Sequence, residues 1–319
     1  MQKILEVADR GGWAIDRLAK PISEAYENVD LCYFYSDPSR FLATGYTSTN
    51  DIKKFDENVA KDYDIVHFHR AESARMVVGR LRKMNPNIRL ICSIHTERDE
   101  KQEWEIFDDI ICPTKFVYDR MLKLHSRCHF VPTGIDLNKF KYQFAEKPYD
   151  NAVGYVGRVM KHKRFDVIAK AIAEANMRLI GCGYIEDSAL FGQNFRRNKD
   201  DFVLMLPEKQ LPGLYSKMKM YVCLSEPNIE TGPLPVLEAM ACGVPVISTR
   251  VGWANDWATH LENIWFIEQE EINMLSKFLH NLCQREDILQ KLRDNALRLV
   301  SDFGLDTYTK KMMQIYEQK

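Results

Sequence analysis

Two glutamates eight positions apart, Glu230 and Glu238, are the residues of this chain best placed to do chemistry. They lie in SEPNIETGPLPVLEAMACGVPVIST, residues 225–249. Glu230 begins a turn-like Glu-Thr-Gly-Pro, and Glu238 stands inside the apolar run 237–240. An apolar strand pattern, 244–248, follows directly after Gly243. An ionised carboxylate among small apolar helix residues is costly unless something pairs with it. A turn, a helix and a strand with a carboxylate at each end of the turn–helix unit suit a ligand rich in hydroxyls and phosphate.

The elements that must position these residues follow from the apolar patterning. Short apolar runs at 3–8, 29–35, 64–68, 89–94, 109–112 and 129–131 read as strands, separated by helical spacing at 15–26, 73–84 and 115–124. The same rhythm returns with strands at 152–156, 177–180, 202–206, 220–224, 244–248 and 264–266, and helices at 165–175, 210–217 and 234–242. Strand–helix alternation calls for parallel sheets with right-handed crossovers, hence an α/β chain of two Rossmann-like halves. At 319 residues the chain is long enough for both. The polar stretch 138–151, with Pro148, separates the two series, and the tail from 287 on is helical and charged.

Composition narrows the function classes. Hydrophobic content is 45%, charged content 28% and net charge −1, which gives no global pull toward nucleic acid or an anionic membrane. No apolar run reaches the roughly 18 residues of a membrane span, and the opening twelve residues read as a first buried strand rather than a leader. The eight cysteines include no Cys-x-x-Cys, so reduced buried thiols in a cytoplasmic protein are expected.

The string around Glu230 and Glu238 closely resembles the Glu-x7-Glu signature of retaining GT-B glycosyltransferases, in particular the GT4 family, with Thr-Gly-Pro in place of the commoner Pro-Phe-Gly. Gly157-Arg158 with Lys163 resembles the family's Gly-Arg-x4-Lys element, with Arg164 where Gly is usual. The resemblance implies two Rossmann-like domains facing a central cleft: an acceptor domain at 1–145, a nucleotide-sugar donor domain at 146–303, and a terminal helix at 304–319 that packs back on the first. It implies hexosyl transfer with retention from a UDP- or GDP-sugar, with no bound cofactor and no metal.

Site residues carry over by position. Arg158 and Lys163 would hold the donor diphosphate, stabilising the charge that grows on it as the glycosidic bond breaks. Glu230 would hold the transferred sugar and Glu238 the ribose. Thr231, Gly232, Pro233 and Leu234 would present a helix N-terminus to phosphate and sugar. Gly181 and Gly183 would let the backbone approach the nucleotide, and residues 206–214 would meet the base. In the first half, Gly11 and Gly12 resemble the family's glycine-rich loop near the diphosphate, and His95 a histidine that points at the transferred sugar. His67 and His69 form a His-x-His whose rings share one strand face, without a third ligand at metal spacing in the chain. Asp62 and Asp64 read as a polar strand start.

The acceptor would be a hydroxyl of a glycan, a lipid-linked glycan or a modified nucleobase. Arg70, Arg75, Arg80, Arg82, Lys83 and Arg89 stand against the single Glu72 and form a possible contact face for membrane or DNA. The alternative from another class is a non-catalytic nucleotide-sugar-binding protein or partner subunit of a transferase. The intact Arg158, Lys163, Glu230 and Glu238 argue against it.

Overall fold

The computed structural model describes residues 1–9, 15–35, 53–95, 103–142, 149–196, 199–226 and 229–318. By contact the chain divides into two units, residues 1–134 with 305–319, and residues 135–304. The division falls ahead of the expected 145/146. Ile135 and Phe140 are already buried in the second unit's core, and the Ile135 N–H donates to the Phe303 carbonyl at 2.8 Å.

The first unit is a six-stranded sheet of β1 (Ile4–Ala8), β2 (Val29–Tyr33), β3 (Ile65–Phe68), β4 (Arg89–Ser93), β5 (Asp109–Cys112) and β6 (Cys128–Phe130), in the order β2-β1-β3-β4-β5-β6. All its neighbours pair in parallel. A parallel sheet is covered on both faces, which is why these strands read as continuous apolar runs. The period of two still sorts their residues. Leu5, Val7, Val66, Phe68 and Leu90 enter one core, and Ile4, Ile65, Ile91 and Ile111 enter the other. The expected helix 73–84 is two helices, Ala71–Arg75 and Val78–Met84. Val77 leaves helical geometry at φ −125° and buries its branched side chain between them.

The terminal helix Leu305–Tyr316 belongs to this unit. Tyr308, Met312 and Tyr316 recur four apart on one helix face and fill the core beside Ile4, Leu18 and Ile22. Arg89 reaches from β4 to the carbonyls of Ile315 (3.0 Å), Tyr316 (3.0 Å) and Gln318 (2.6 Å), satisfying acceptors that a helix end leaves open. The Tyr316 hydroxyl donates to Glu6 and accepts from His67 Nδ1 at 2.7 Å, while His67 Nε2 accepts from Ser93 Oγ at 2.8 Å. Burial keeps His67 neutral against the pull of Glu6. Burial also works against ionisation of Glu6, but His67 and His69 outweigh it and lower its pKa to about 2.

The second unit is a six-stranded parallel sheet of β7 (Ala152–Val156), β8 (Arg178–Gly183), β9 (Asp201–Leu204), β10 (Met220–Cys223), β11 (Val246–Ser248) and β12 (Trp265–Phe266). Its order, β12-β11-β10-β7-β8-β9, is the doubly wound arrangement in which strand order reverses between the first strand and the fourth. In such sheets ligands sit beyond the carboxyl ends of the strands at the reversal, here β7 and β10. The helix Ser188–Asn194, not expected from the apolar pattern, packs its half-buried Leu190 and Phe191 against the core and is capped by Asp187, which accepts from the Leu190 N–H at 2.8 Å. Among the described residues no helix is long and apolar enough to cross a membrane.

Removing the Tyr316 hydroxyl leaves His67 Nδ1 and a Glu6 oxygen buried and one partner short. Tyr316→Phe is expected to cost about 1–3 kcal/mol in urea denaturation of the full chain. The depressed Glu6 pKa stabilises the fold above the ordinary value of 4.5, and that contribution is lost as pH falls toward 2. Stability should therefore drop across that acid window, and Glu6→Gln should flatten the drop.

Candidate functional site

At the end of β7 the chain makes a turn that only glycine permits. Gly157 has φ +147°, and its N–H donates to the Cys182 carbonyl at 2.9 Å. A Cβ on Gly183, at the end of β8, would lie 1.7 Å from the Gly157 carbonyl oxygen. The two backbones thus lie against each other, and the buried Tyr155 fixes the next residue by donating its hydroxyl to the Arg158 carbonyl at 2.6 Å. A Cβ on Gly181 would meet the Phe202 ring at 2.7 Å, so this glycine answers to packing in the sheet. After the turn comes a single 3-10 turn, Lys161–Lys163, closed by Arg164 at φ +52°. Arg164 therefore holds the left-handed conformation that a glycine would take without a Cβ penalty.

Lys163 points from this turn to the loop that follows β10. Its Nζ lies 2.5 Å from Glu230 Oε1. Ser225 Oγ donates to the same oxygen at 3.1 Å, and His162 Nε2 lies 3.5 Å away. Glu230 is 14% exposed and Lys163 17%. Burial would raise the Glu230 pKa, but Lys163, His162 and Ser225 prevail and hold it at about 2. The loop is clamped from behind. The Thr231 carbonyl accepts from the Trp253 N–H at 3.1 Å, and a Cβ on Gly252 would strike the Thr231 and Glu230 carbonyl oxygens at 2.5 and 2.8 Å.

Thr231 and Pro233 are buried and Gly232 half-buried where this loop enters the helix Leu234–Ala241, whose N-cap is Pro233 and whose first turn accepts Pro235 because no N–H is needed there. One turn further, Glu238 is 1% exposed. Its required partner is Tyr215, which donates its hydroxyl to Glu238 Oε2 at 2.7 Å from the end of the helix Leu211–Tyr215. Arg158 is 42% exposed and lies 3.2 Å from Glu186 Oε2. Tyr155, Lys163, Ser225, Pro233 and Pro235 line one recess at the ends of β7 and β10.

The structure thus brings Lys163 and Glu230 together and sets Glu238 deeper, against Tyr215. Sequence reading missed Ser225, His162 and Tyr215. Ser225 begins the motif stretch, His162 falls inside the Arg158–Lys163 spacing, and Tyr215 immediately follows the 206–214 segment. Their partners become evident only when strands distant in sequence pair.

In the first unit His95 follows β4, and its Nε2 is buried with no hydrogen-bond partner among the described residues. Burial, with His69 and His67 nearby, lowers its pKa to about 3, so it is neutral at ordinary pH. Gly11 and Gly12 lie outside the described residues. The third group absent from the chain spacing around His67 and His69 is present in space, because parallel pairing sets Glu6 opposite His67. Glu6 Oε2 is 2.6 Å from His69 Nε2 and 3.1 Å from His67 Nδ1. Ligands around a four-coordinate zinc, with bonds of about 2.0–2.1 Å, stand roughly 3.3 Å apart, so these separations are those of hydrogen bonds.

The basic face between Arg70 and Arg89 is largely neutralised within the unit. Arg70 pairs with Asp9 and Glu72, Arg80 with Glu57, Arg82 with Asp108, and Arg89 with the buried Asp109. Four of the six cations of this face, Arg70, Arg80, Arg82 and Arg89, are thus paired with carboxylates among the described residues.

Two family models match the chain: Glycosyl transferases group 1 over residues 136–298 and Glycosyltransferase Family 4 over residues 23–139. The chain is 26% identical over 161 residues to an uncharacterized glycosyltransferase of Haemophilus influenzae, covering 47% of this chain and 44% of that one. It is 26% identical over 216 residues to the uncharacterized glycosyltransferase MJ1178 of Methanocaldococcus jannaschii, covering 66% and 60%. The matches thus span about half the length of these curated relatives. The fold superposes on Anabaena Alr3699/HepE in complex with UDP and glucose at a TM-score of 0.81, with 15% identity and full coverage of both chains. The architecture is GT-B, as the motifs implied.

Gly183→Ala must separate two backbones that now touch, and it is expected to lower stability by more than about 2 kcal/mol. Gly192→Ala is the control, because its Cβ meets nothing within 4 Å in the helix Ser188–Asn194. That substitution should stabilise by about 0.5–1 kcal/mol. Paired thermal melts check both.

Proposed function

The chain belongs to the glycosyl transferases group 1 family, and from that premise we propose that it moves a sugar, with retention, from a nucleotide-diphosphate sugar to a hydroxyl acceptor. The observation that carries this reading is the Lys163–Glu230 pair, which lies at the strand-order reversal where an α/β sheet receives a ligand. Lys163 and Arg158 take the diphosphate, Glu230 the hydroxyls of the transferred sugar, and Glu238 the ribose hydroxyls. The close Gly157–Gly183 approach keeps side chains off the nucleotide's path, and residues 231–234 bring the start of a helix to phosphate and sugar. Complexes of Anabaena HepE with UDP and with UDP-glucose make UDP-sugars the first donors to try, ahead of GDP-sugars.

In the proposed step the acceptor oxygen attacks the anomeric carbon on the face that the diphosphate leaves. The carbon–oxygen bond to the β-phosphate breaks, the new glycosidic bond forms, and the acceptor proton passes to the departing phosphate oxygen. The two cations stabilise that oxygen as charge gathers on it. Glu230, ionised at any working pH, balances positive charge on the sugar ring. His95, held neutral by burial, is suited to hydrogen-bond the sugar without adding charge. No step in this scheme requires a metal. The acceptor is a glycan, lipid-linked glycan or nucleobase hydroxyl. The neutralised Arg70–Arg89 face gives no reason to prefer a polyanionic one.

A panel of UDP-, GDP-, ADP- and CMP-sugars tests the reading through binding and slow hydrolysis by the full chain. At least one donor is expected to bind, with Lys163→Ala weakening it tenfold or more, in line with loss of a charge-assisted hydrogen bond of about 1.5–3 kcal/mol. Glu230→Ala should bind that donor but hydrolyse it far more slowly. If no donor binds, or Lys163→Ala binds as wild type does, the reading is wrong.

A further inference from the structure

The turn that carries Lys163 also carries a histidine that the motif does not use. His162 immediately precedes Lys163 in the turn Lys161–Lys163, is 18% exposed, and directs Nε2 toward Glu230 Oε1 at 3.5 Å. Its carbonyl accepts from the Glu226 N–H at 2.9 Å, which ties this turn to the loop after β10 through backbone. Glu230 Oε1 therefore has three neighbours at graded distances: Lys163 at 2.5 Å, Ser225 at 3.1 Å and His162 at 3.5 Å. At 3.5 Å the histidine sits at the outer limit of a hydrogen bond. Lys163 holds the carboxylate, and His162 stands next in line.

That ordering matters if Lys163 is also the ligand of the donor diphosphate. An ammonium that swings toward phosphate abandons a largely buried carboxylate, and uncompensated buried charge costs several kcal/mol. The Ser225 hydroxyl alone does not neutralise it. We propose that His162 is a positioning residue for Glu230. When donor diphosphate draws Lys163 away, His162 takes up a proton from solvent and donates Nε2–H to the carboxylate. Glu230 then stays ionised and in place for the sugar. Among the described residues the charged side chains near His162 are Glu230, from the loop after β10, and Lys163, from its own turn, with Lys161 preceding it in the chain. Glu226 meets it through backbone. Departure of Lys163 leaves the carboxylate unshared and His162 Nε2 the nearest side-chain nitrogen to it among the described residues.

This inference rests on the reading of Lys163 as a diphosphate ligand, and the experiment separates the two. UDP is titrated calorimetrically into the full chain at pH 7.5, in two buffers of different ionisation enthalpy, so that heat and proton uptake are both measured. Wild type, His162→Gln, His162→Ala and Lys163→Met are compared, with GDP as probe if UDP gives no heat. Wild type is expected to take up more protons on binding than His162→Gln. His162→Gln, which keeps a neutral donor but cannot carry the charge, should bind about tenfold more weakly than wild type, and His162→Ala, which donates nothing, more weakly still. Equal proton uptake by wild type and His162→Gln overturns the proposal, as does unchanged affinity in His162→Ala. If Lys163→Met binds as wild type does, or neither nucleotide binds wild type, the diphosphate reading falls and this inference with it.

Discussion

The ion pair between Lys163 and Glu230 is the interaction on which the second unit's candidate site depends. It joins the turn after β7 to the loop after β10, the two strands that flank the reversal of strand order. Each partner alone would be costly in so enclosed a place. Together, with Ser225 and His162 around the carboxylate, they keep Glu230 ionised despite burial. The backbone on either side brings these two side chains to one point. Gly157 and Gly183 let the first turn lie flat on β8, and Gly252 and Trp253 press the second loop forward from behind. On the proposed reading, the same pair is a lock that donor phosphate must open.

Much of this was legible in the chain, for identifiable reasons. The strands of both sheets could be read because parallel strands are buried on both faces and leave continuous apolar runs, as in Ala152–Val156 and Met220–Cys223. The need for a partner at Glu238 followed from a carboxylate among apolar helix residues. Which group would answer it did not, because Tyr215 and Glu238 are joined by tertiary packing and not by any helical spacing. Glu6 was hidden for a related reason. It reads as an interruption in an apolar strand until β1 pairs with β3 and sets it opposite His67. Arg164 was legible as a departure from glycine, but its left-handed backbone was not. Helices as short as Ser188–Asn194 span too few turns to show a period, although Leu190 and Phe191 pack on the core, and the Asp187 cap is the clearer mark.

The first unit shows the same economy of buried charge in another form. Glu6, His67, His69, Tyr316 and Ser93 form one hydrogen-bonded set beneath the sheet, and the terminal helix contributes the phenol that completes it. The last helix of the chain is therefore bound to the first strand by polar groups as well as by its apolar face. Arg89 closes the arrangement by covering the helix's open carbonyls while pairing with Asp109. A single residue on β4 thus serves the sheet and the helix end together, which explains why that cation is turned inward rather than offered to an anionic partner.

The most direct test of the account is a crystal structure of the full chain with UDP bound. The account predicts the diphosphate within hydrogen-bond distance of Lys163 Nζ, the Lys163–Glu230 pair opened, and a ribose hydroxyl donating to Glu238. A diphosphate bound elsewhere, with Lys163 still on Glu230, would contradict it.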